Sequence, residues 1–374
     1  MKRPLSFKLA ALGIALVLSL CLAEIVFRLV HPDEPGQLAN QLARGIMDGE
    51  PLHKDRKEFG SEKVPVTINS LGCRDDEDFP TEKPAGERRI LFLGDSFLYA
   101  AYLWQKETLP KQCEAALVSS GTRVRATALC LPGWSTKHEE KAFVLQGADI
   151  HPDLVVLCFF VGNDVTENLP NDNIALEGKH EIRVHEKKKR IHMRVLECSK
   201  LFRLWESTAL YDKIAHTPDD PGAPPGLKVD AYWKIEHLRL EQWHREAWKD
   251  SPVMAEAWSS TRASFDKIVA TVRGAGAKLA VIIIPDEVQV DAVKRATLCS
   301  RYELDEKEYD LEQPQRFVKE MCDRAGVPCV DVLPAFRAEG AQGGLYIDRD
   351  THWNAKGHAL AASLLAPILQ DLLK

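Results

Sequence analysis

The 374-residue chain has no long block of one charge, no internal repeat and no low-complexity tract. Its longest basic stretch, Lys187–Arg190, is too short for a nucleic-acid footprint, and a net charge of −6 is spread along the sequence. No CxxC pair and no HExxH spacing occurs, so zinc and thiol-redox sites have no ligand pattern. The glycines form no phosphate-binding loop. No metal, nucleotide or other cofactor is therefore expected, and no nucleic-acid partner. Apolar content of 45% with 28% charged residues fits a folded protein large enough for ample core.

One long hydrophobic run is present. Leu9–Val30 holds only Glu24 and Arg28 as charges and follows Lys2, Arg3 and Lys8. It is long enough to cross a bilayer, and the preceding basic residues predict a cytoplasmic N-terminus. The run continues past Cys21-Leu22-Ala23 through Val30, which favours an uncleaved anchor over a cleaved signal peptide. Residues 1–31 are thus expected to be a cytoplasmic tip and membrane anchor, and 32–65 a linker. Of the nine cysteines, all but Cys21 would face an oxidising compartment. Cys113 with Cys130, and Cys322 with Cys329, are candidate disulfides of unreadable connectivity.

From residue 66 to 374 apolar strands alternate with amphipathic helices. Strands are expected at Arg89–Gly94, Val124–Cys130, Leu154–Phe160, Leu279–Ile284 and Val327–Val332. Helices are expected at Thr108–Val118, Lys137–Gln146, Met254–Arg273, Pro314–Ala325 and Ala355–Leu373. Repeated βαβ units predict an α/β fold, a doubly wound parallel sheet between two helical layers. Residues 166–253 interrupt the rhythm and read as an insertion over the active face, a lid or a partner surface.

In such sheets ligands bind at the carboxyl ends of the strands. The first strand ends there in Gly94-Asp95-Ser96. A serine nucleophile needs a base, an acid to orient that base, and donors for the oxyanion. His352, just before the last helix, and Asp350, two residues earlier, supply base and acid, with Asp348 as an alternative acid. His358 falls inside the helix and reads as a packing or capping residue. Gly133 after the second strand, Asn163 after the third and the Ser96 amide at a helix start are the candidate donors.

These blocks resemble the SGNH (GDSL-type) hydrolases. "GDSF" is similar to the serine block, Gly133 to the glycine block, "GND" to the asparagine block and "DTHWN" to the histidine block. The stretch "INSLGCRDDE" (Ile68–Glu77) is similar to a segment of membrane-anchored bacterial members. The resemblance implies a flavodoxin-like three-layer fold with Ser96 as nucleophile, His352 as base and Asp350 as its partner. It also implies an oxyanion hole of Ser96, Gly133 and Asn163; the hydrophobic run at Leu9–Val30 leads to the expectation of a single-pass protein of the bacterial cell membrane whose domain is periplasmic or extracellular. Two features depart from the common pattern. Arg349 stands three residues before the histidine, where most relatives carry the acid; the two-residue spacing is similar to the alginate O-acetyltransferase branch. Tyr99-Ala100-Ala101 stands where relatives often carry glycines.

The expected activity is a serine esterase acting on small acyl, above all acetyl, esters of cell-envelope carbohydrate. Acyl transfer to a polysaccharide is the open alternative. A catalytically silent glycan-binding protein, using Trp205, Trp233, Trp243 and Trp248, is the reading from another class; helix packing is the competing role for those tryptophans.

Overall fold

The computed structural model describes residues 19, 22–24, 26, 55–59, 63–80, 82–169, 174–177, 181–184, 227, 229–246, 251–340 and 344–374. The chain divides into two compact units, Met1–Glu50 with Lys187–Ala223, and Pro51–Glu186 with Pro224–Lys374. In the first, the described residues are Ser19, Leu22, Ala23, Glu24 and Val26, all helical. The rest of the expected span over residues 9–30 lies outside the described residues. Among the described residues no helix is long and apolar enough to cross a membrane.

The second unit opens with an antiparallel hairpin, β1 (Asp55–Phe59) and β2 (Val64–Ile68), which pairs Asp55 with Ile68. It takes up the end of the segment read as a linker, because Val64, Val66 and Ile68 alternate into the core. β3 (Arg88–Gly94) follows, with Ile90–Leu93 fully buried, then the single turn α1 (Ser96–Tyr99). Helix α2 (Leu109–Ser119) carries Pro110 in its first turn and buries Leu109, Cys113 and Leu117 at a spacing of four. Next come β4 (Val124–Cys130), α3 (Thr136–Leu145) and β5 (Leu154–Phe160), whose seven residues are all buried. A strand covered on both faces needs this continuous apolar run.

The inserted region contributes the hairpin β6 (Ile174–Glu177) and β7 (Glu181–Val184), then α4 (Val229–Glu241). Within it Trp243 is buried and Trp233 meets Tyr232 edge-on, while Trp205 and Trp248 lie outside the described residues. Beyond lie α5 (Pro252–Gly274), β8 (Lys278–Ile284), α6 (Glu287–Val290), α7 (Ala292–Tyr302), α8 (Gln313–Ala325), β9 (Cys329–Asp331), α9 (Leu333–Gly340) and α10 (Ala355–Leu372).

Five strands form one parallel sheet in the order β4-β3-β5-β8-β9. The chain steps one way from β3 to β4 and the other way afterwards. Right-handed crossovers then send α2 to one face and α3 to the other. The helix contacts follow: α2 packs on α10, and α3 and α8 pack on α5. The reversal makes β3, between β4 and β5, the switch point where this class of sheet opens a binding crevice. The seven described cysteines are free thiols, including both candidate pairs.

Candidate active site

Three loops leave the sheet at the switch point, and each carries one of the expected residues. Ser96 stands two residues past β3, Gly133 three past β4 and Asn163 three past β5. At the foot of the first loop a Cβ on Gly94 would lie 2.9 Å from Leu98 and 3.1 Å from Cys158, so only glycine lets the strand turn this closely. The Asp95 side chain accepts from the Phe97 amide at 2.9 Å, opening α1 directly behind Ser96.

His352 Nε2 lies 2.7 Å from Ser96 Oγ, and its Nδ1 lies 2.5 Å from Asp350 Oδ1. A carboxylate only accepts, so Nδ1 carries the proton and Nε2 is left to accept the Ser96 hydroxyl. The Phe97 ring, 5.0 Å from the imidazole, and Trp353 edge-on to Phe97 hold the ring plane. Ser96, His352 and Asp350 form one hydrogen-bonded line. Such a line can move a proton off the serine as its oxygen attacks.

The two-residue spacing works because the turn is compressed. Arg349 (φ 54°) and Thr351 (φ 64°) both lie in the left-handed region, on either side of Asp350. A buried β-branched residue rarely adopts this conformation. Pairing between Ile347 and His352 (2.8 Å) and between Asn354 and Leu345 (3.0 Å) holds the turn closed. Asp348 instead faces outward toward Lys294 and Arg349. His358 is buried and its Nδ1 accepts from Leu109 at the start of α2, at 3.0 Å. Burial, with Arg74 and His352 nearby, pulls its pKa down to about 3 and keeps it neutral.

Gly133 sits at φ 79°, in open space, where an amide is free to meet a ligand and a side chain would be strained. Asn163 Nδ2 donates to Glu167 Oε2 at 2.9 Å, and its Oδ1 is buried without a partner among the described residues.

Beneath Ser96 lie three fully buried carboxyl groups, Asp95, Glu139 and Asp164. Neither oxygen of Glu139 has a partner among the described residues, nor do Asp95 Oδ2 and Asp164 Oδ1. Burial first, and then the neighbouring Asp95, holds Glu139 well above the ordinary carboxylate range. Burial with Glu139 and Asp95 does the same to Asp164. Asp95 is raised by burial, an effect partly offset by the Phe97 amide and His352. Among the described residues no cluster of three or more His, Cys, Asp or Glu side chains can hold a metal ion.

Sequence reasoning missed Arg74, although it lies in the segment noted for its resemblance. Its buried guanidinium donates to Leu98 O (3.3 Å) and Leu103 O (2.7 Å), tying down the chain that leaves α1. It also missed Glu139, Glu167 and Arg239. Glu139 has one signal, a charged residue on the inward stripe of an amphipathic helix beside Ala142 and Phe143, whereas Glu167 lies in a three-residue turn that carries none.

Residues 242–374 match a family model described as an SGNH hydrolase-like domain, acetyltransferase AlgX. This C-terminal segment is SGNH hydrolase-like. The match takes in the histidine block and begins immediately after α4. Several solved structures are similar to this chain. An acetyl xylan esterase, AlAXEase, matches at 12% identity over 75% of this chain and 99% of its own, with a TM-score of 0.42. The lipase/acylhydrolase from Enterococcus faecalis matches at 13% identity over 76% and 96%, with a TM-score of 0.40. Axe2, an acetylxylan esterase from Geobacillus stearothermophilus, matches at 12% identity over 76% and 93%, with a TM-score of 0.39. No curated protein matches the chain.

Proposed function

We propose that this chain is a serine esterase of the SGNH type that removes small acyl groups, chiefly acetyl, from cell-envelope carbohydrate through an acyl-enzyme on Ser96. The observation that carries the reading is His352 bridging Ser96 Oγ and Asp350 Oδ1. Ser96 Oγ attacks the ester carbonyl as His352 Nε2 takes its proton, and Asp350 stabilises the imidazolium. The carbonyl oxygen becomes an oxyanion facing the amides of Ser96 and Gly133 and the Asn163 carboxamide. Collapse of the intermediate expels the sugar oxygen, which takes the proton from His352. Water then repeats the sequence on the acyl-serine and frees the acid.

A second reading keeps the same acyl-enzyme but passes the acyl group to a polysaccharide hydroxyl. It is favoured by the Asp-Thr-His-Trp block and by the acetyltransferase description of the family model over residues 242–374. The proposal includes a single-pass anchor at Leu9–Val30 with the domain outside the cytoplasm, supported by the basic residues that precede that run.

The test uses full-length chain in detergent, aryl acetates and a fluorophosphonate probe. Release of acetate with labelling at Ser96 is expected, and an acetylated oligosaccharide acceptor in the products selects the transferase reading. Absence of both turnover and label overturns the proposal.

A further inference from the structure

The Asn163 carboxamide is held in an orientation that leaves its own oxygen buried without a partner among the described residues. A carboxamide rotated by half a turn would present that oxygen, and not Nδ2, to Glu167. Glu167, one helical turn on, opposes that rotation. Its amide donates to Asn163 O at 2.9 Å, and its Oε2 accepts from Asn163 Nδ2 at 2.9 Å. A carboxylate has no hydrogen to give, so only the nitrogen end of the carboxamide can face it.

The end of β5 and the loop that carries Asn163 are met by α4 and the residue after it, from the region read as an insertion. Arg239 lies 3.1 Å from Glu236 Oε1 and 3.3 Å from Asp286 Oδ2, with its guanidinium 5.0 Å from the Phe160 ring at the end of β5. Burial works against its charge, but Glu236, Asp286, Glu167 and Asp95 hold it above the ordinary range. Beside it Gln242 Nε2 donates to Gly162 O at 3.1 Å, fixing the residue before Asn163.

We propose that Glu167 is a positioning residue that keeps the Asn163 carboxamide nitrogen turned toward the reacting carbonyl. This rests on Asn163 being an oxyanion donor. Nδ2 has two hydrogens, and Glu167 engages one. The other is left to serve the oxyanion. On this account α4 is part of the floor that shapes the oxyanion hole, in place of a lid.

The test is a mutant cycle on the full-length chain with p-nitrophenyl acetate. Asn163→Ala is expected to lower kcat by roughly 10²–10³-fold, the usual effect of losing one oxyanion donor. Glu167→Ala should lower kcat about 10-fold or more with KM little changed. Glu167→Gln, whose amide oxygen accepts from Nδ2, should recover most of that loss. In Asn163→Ala/Glu167→Ala the second substitution should cost nothing further, because Glu167 acts only through Asn163. A Glu167→Ala kcat within twofold of wild type, or a loss that multiplies with Asn163→Ala, overturns the proposal. Should the wild type neither turn over nor label at Ser96, the reading of the site falls. The Asn163 side-chain amide NMR resonance, assigned by its loss in Asn163→Ala, then decides the contact alone: a shift in Glu167→Ala supports the positioning role, and an unmoved resonance overturns it.

Discussion

The two ends of the parallel sheet treat buried charge in opposite ways. At the end where the strands begin, charges are paired. Buried Arg89 meets Glu87 at 3.2 Å and donates to Ile150 O and Pro80 O, while Asp153 takes Lys83, Arg88 and the Arg89 amide. Burial alone would raise Asp153, but these partners hold it below the ordinary carboxylate range. At the end where the strands finish, Asp95, Glu139 and Asp164 are buried with unpartnered oxygens and are all raised. Sheet and core are shared, so the difference comes from the loops. One end secures the fold; the other keeps costly groups beside Ser96, where perturbed acids tend to gather at working sites.

The largest effect that would break this comparison is at the working end. Ser96→Ala is expected to lower kcat by roughly 10⁶-fold, and Asp350→Asn by roughly 10⁴-fold, with unfolding in urea little altered. Asp350→Asn is the sharper of the two, because Asp348 lies close by in sequence yet faces outward toward Lys294 and Arg349. Steady-state kinetics on both variants checks this. Full activity in Asp350→Asn would remove Asp350 from the proton line.

The long strands were legible in the sequence because burial on both faces leaves a continuous apolar run. Val124–Cys130 and Leu154–Phe160 are observed at their expected limits, and β3 and β8 each begin one residue earlier. The short helices α6, α7 and α9 were not, since their starts depend on local caps such as Asp286 and Asp291 instead of a long period. Ser96, His352 and Asp350 were picked out in the sequence by their loop positions together with the SGNH resemblance, with Asp348 left as an alternative acid. The contact of Glu167 with Asn163 was not, because it is made within the loop after β5, where no helix or strand period marks which side chains meet.

The same kind of substitution should act with opposite sign at the two ends. Asp153 has a depressed pKa in the folded chain, so it adds stability above its unfolded value near 4, lost as pH falls through the folded value. Asp153→Asn is therefore expected to destabilise at pH 7, by about 1 kcal/mol after allowing for solvent screening, with the difference closing in acid. Glu139 has a raised pKa. Its neutral form favours the fold below about pH 4.5, and that contribution is lost as pH rises toward the folded value. Glu139→Gln keeps a neutral group at every pH, so it should gain on wild type as pH rises from 5 to 9. Urea unfolding of both variants across that range measures the two slopes. Equal signs at pH 8 would mean that the ends do not differ in the way described.

The smallest effect tests whether strain at the working end is confined to the carboxyl groups. Ala100 caps α1 at φ 40°, and its amide donates to Ser96 O at 2.9 Å. A left-handed Cβ costs roughly 1–2 kcal/mol. Glycine removes that cost but adds about 0.4–1 kcal/mol of unfolded-state freedom. Ala100→Gly is therefore expected to stabilise the chain by about 0.5 kcal/mol. Loosening the turn behind Ser96 should at the same time lower kcat modestly, because α1 would hold the nucleophile less rigidly. Urea midpoints and kcat measured on one preparation decide the matter. A gain in stability with unchanged kcat would show that the Ala100 strain is separable from the chemistry, and a loss of stability would show that Arg74, through Leu98 and Leu103, already holds the turn without strain at Ala100.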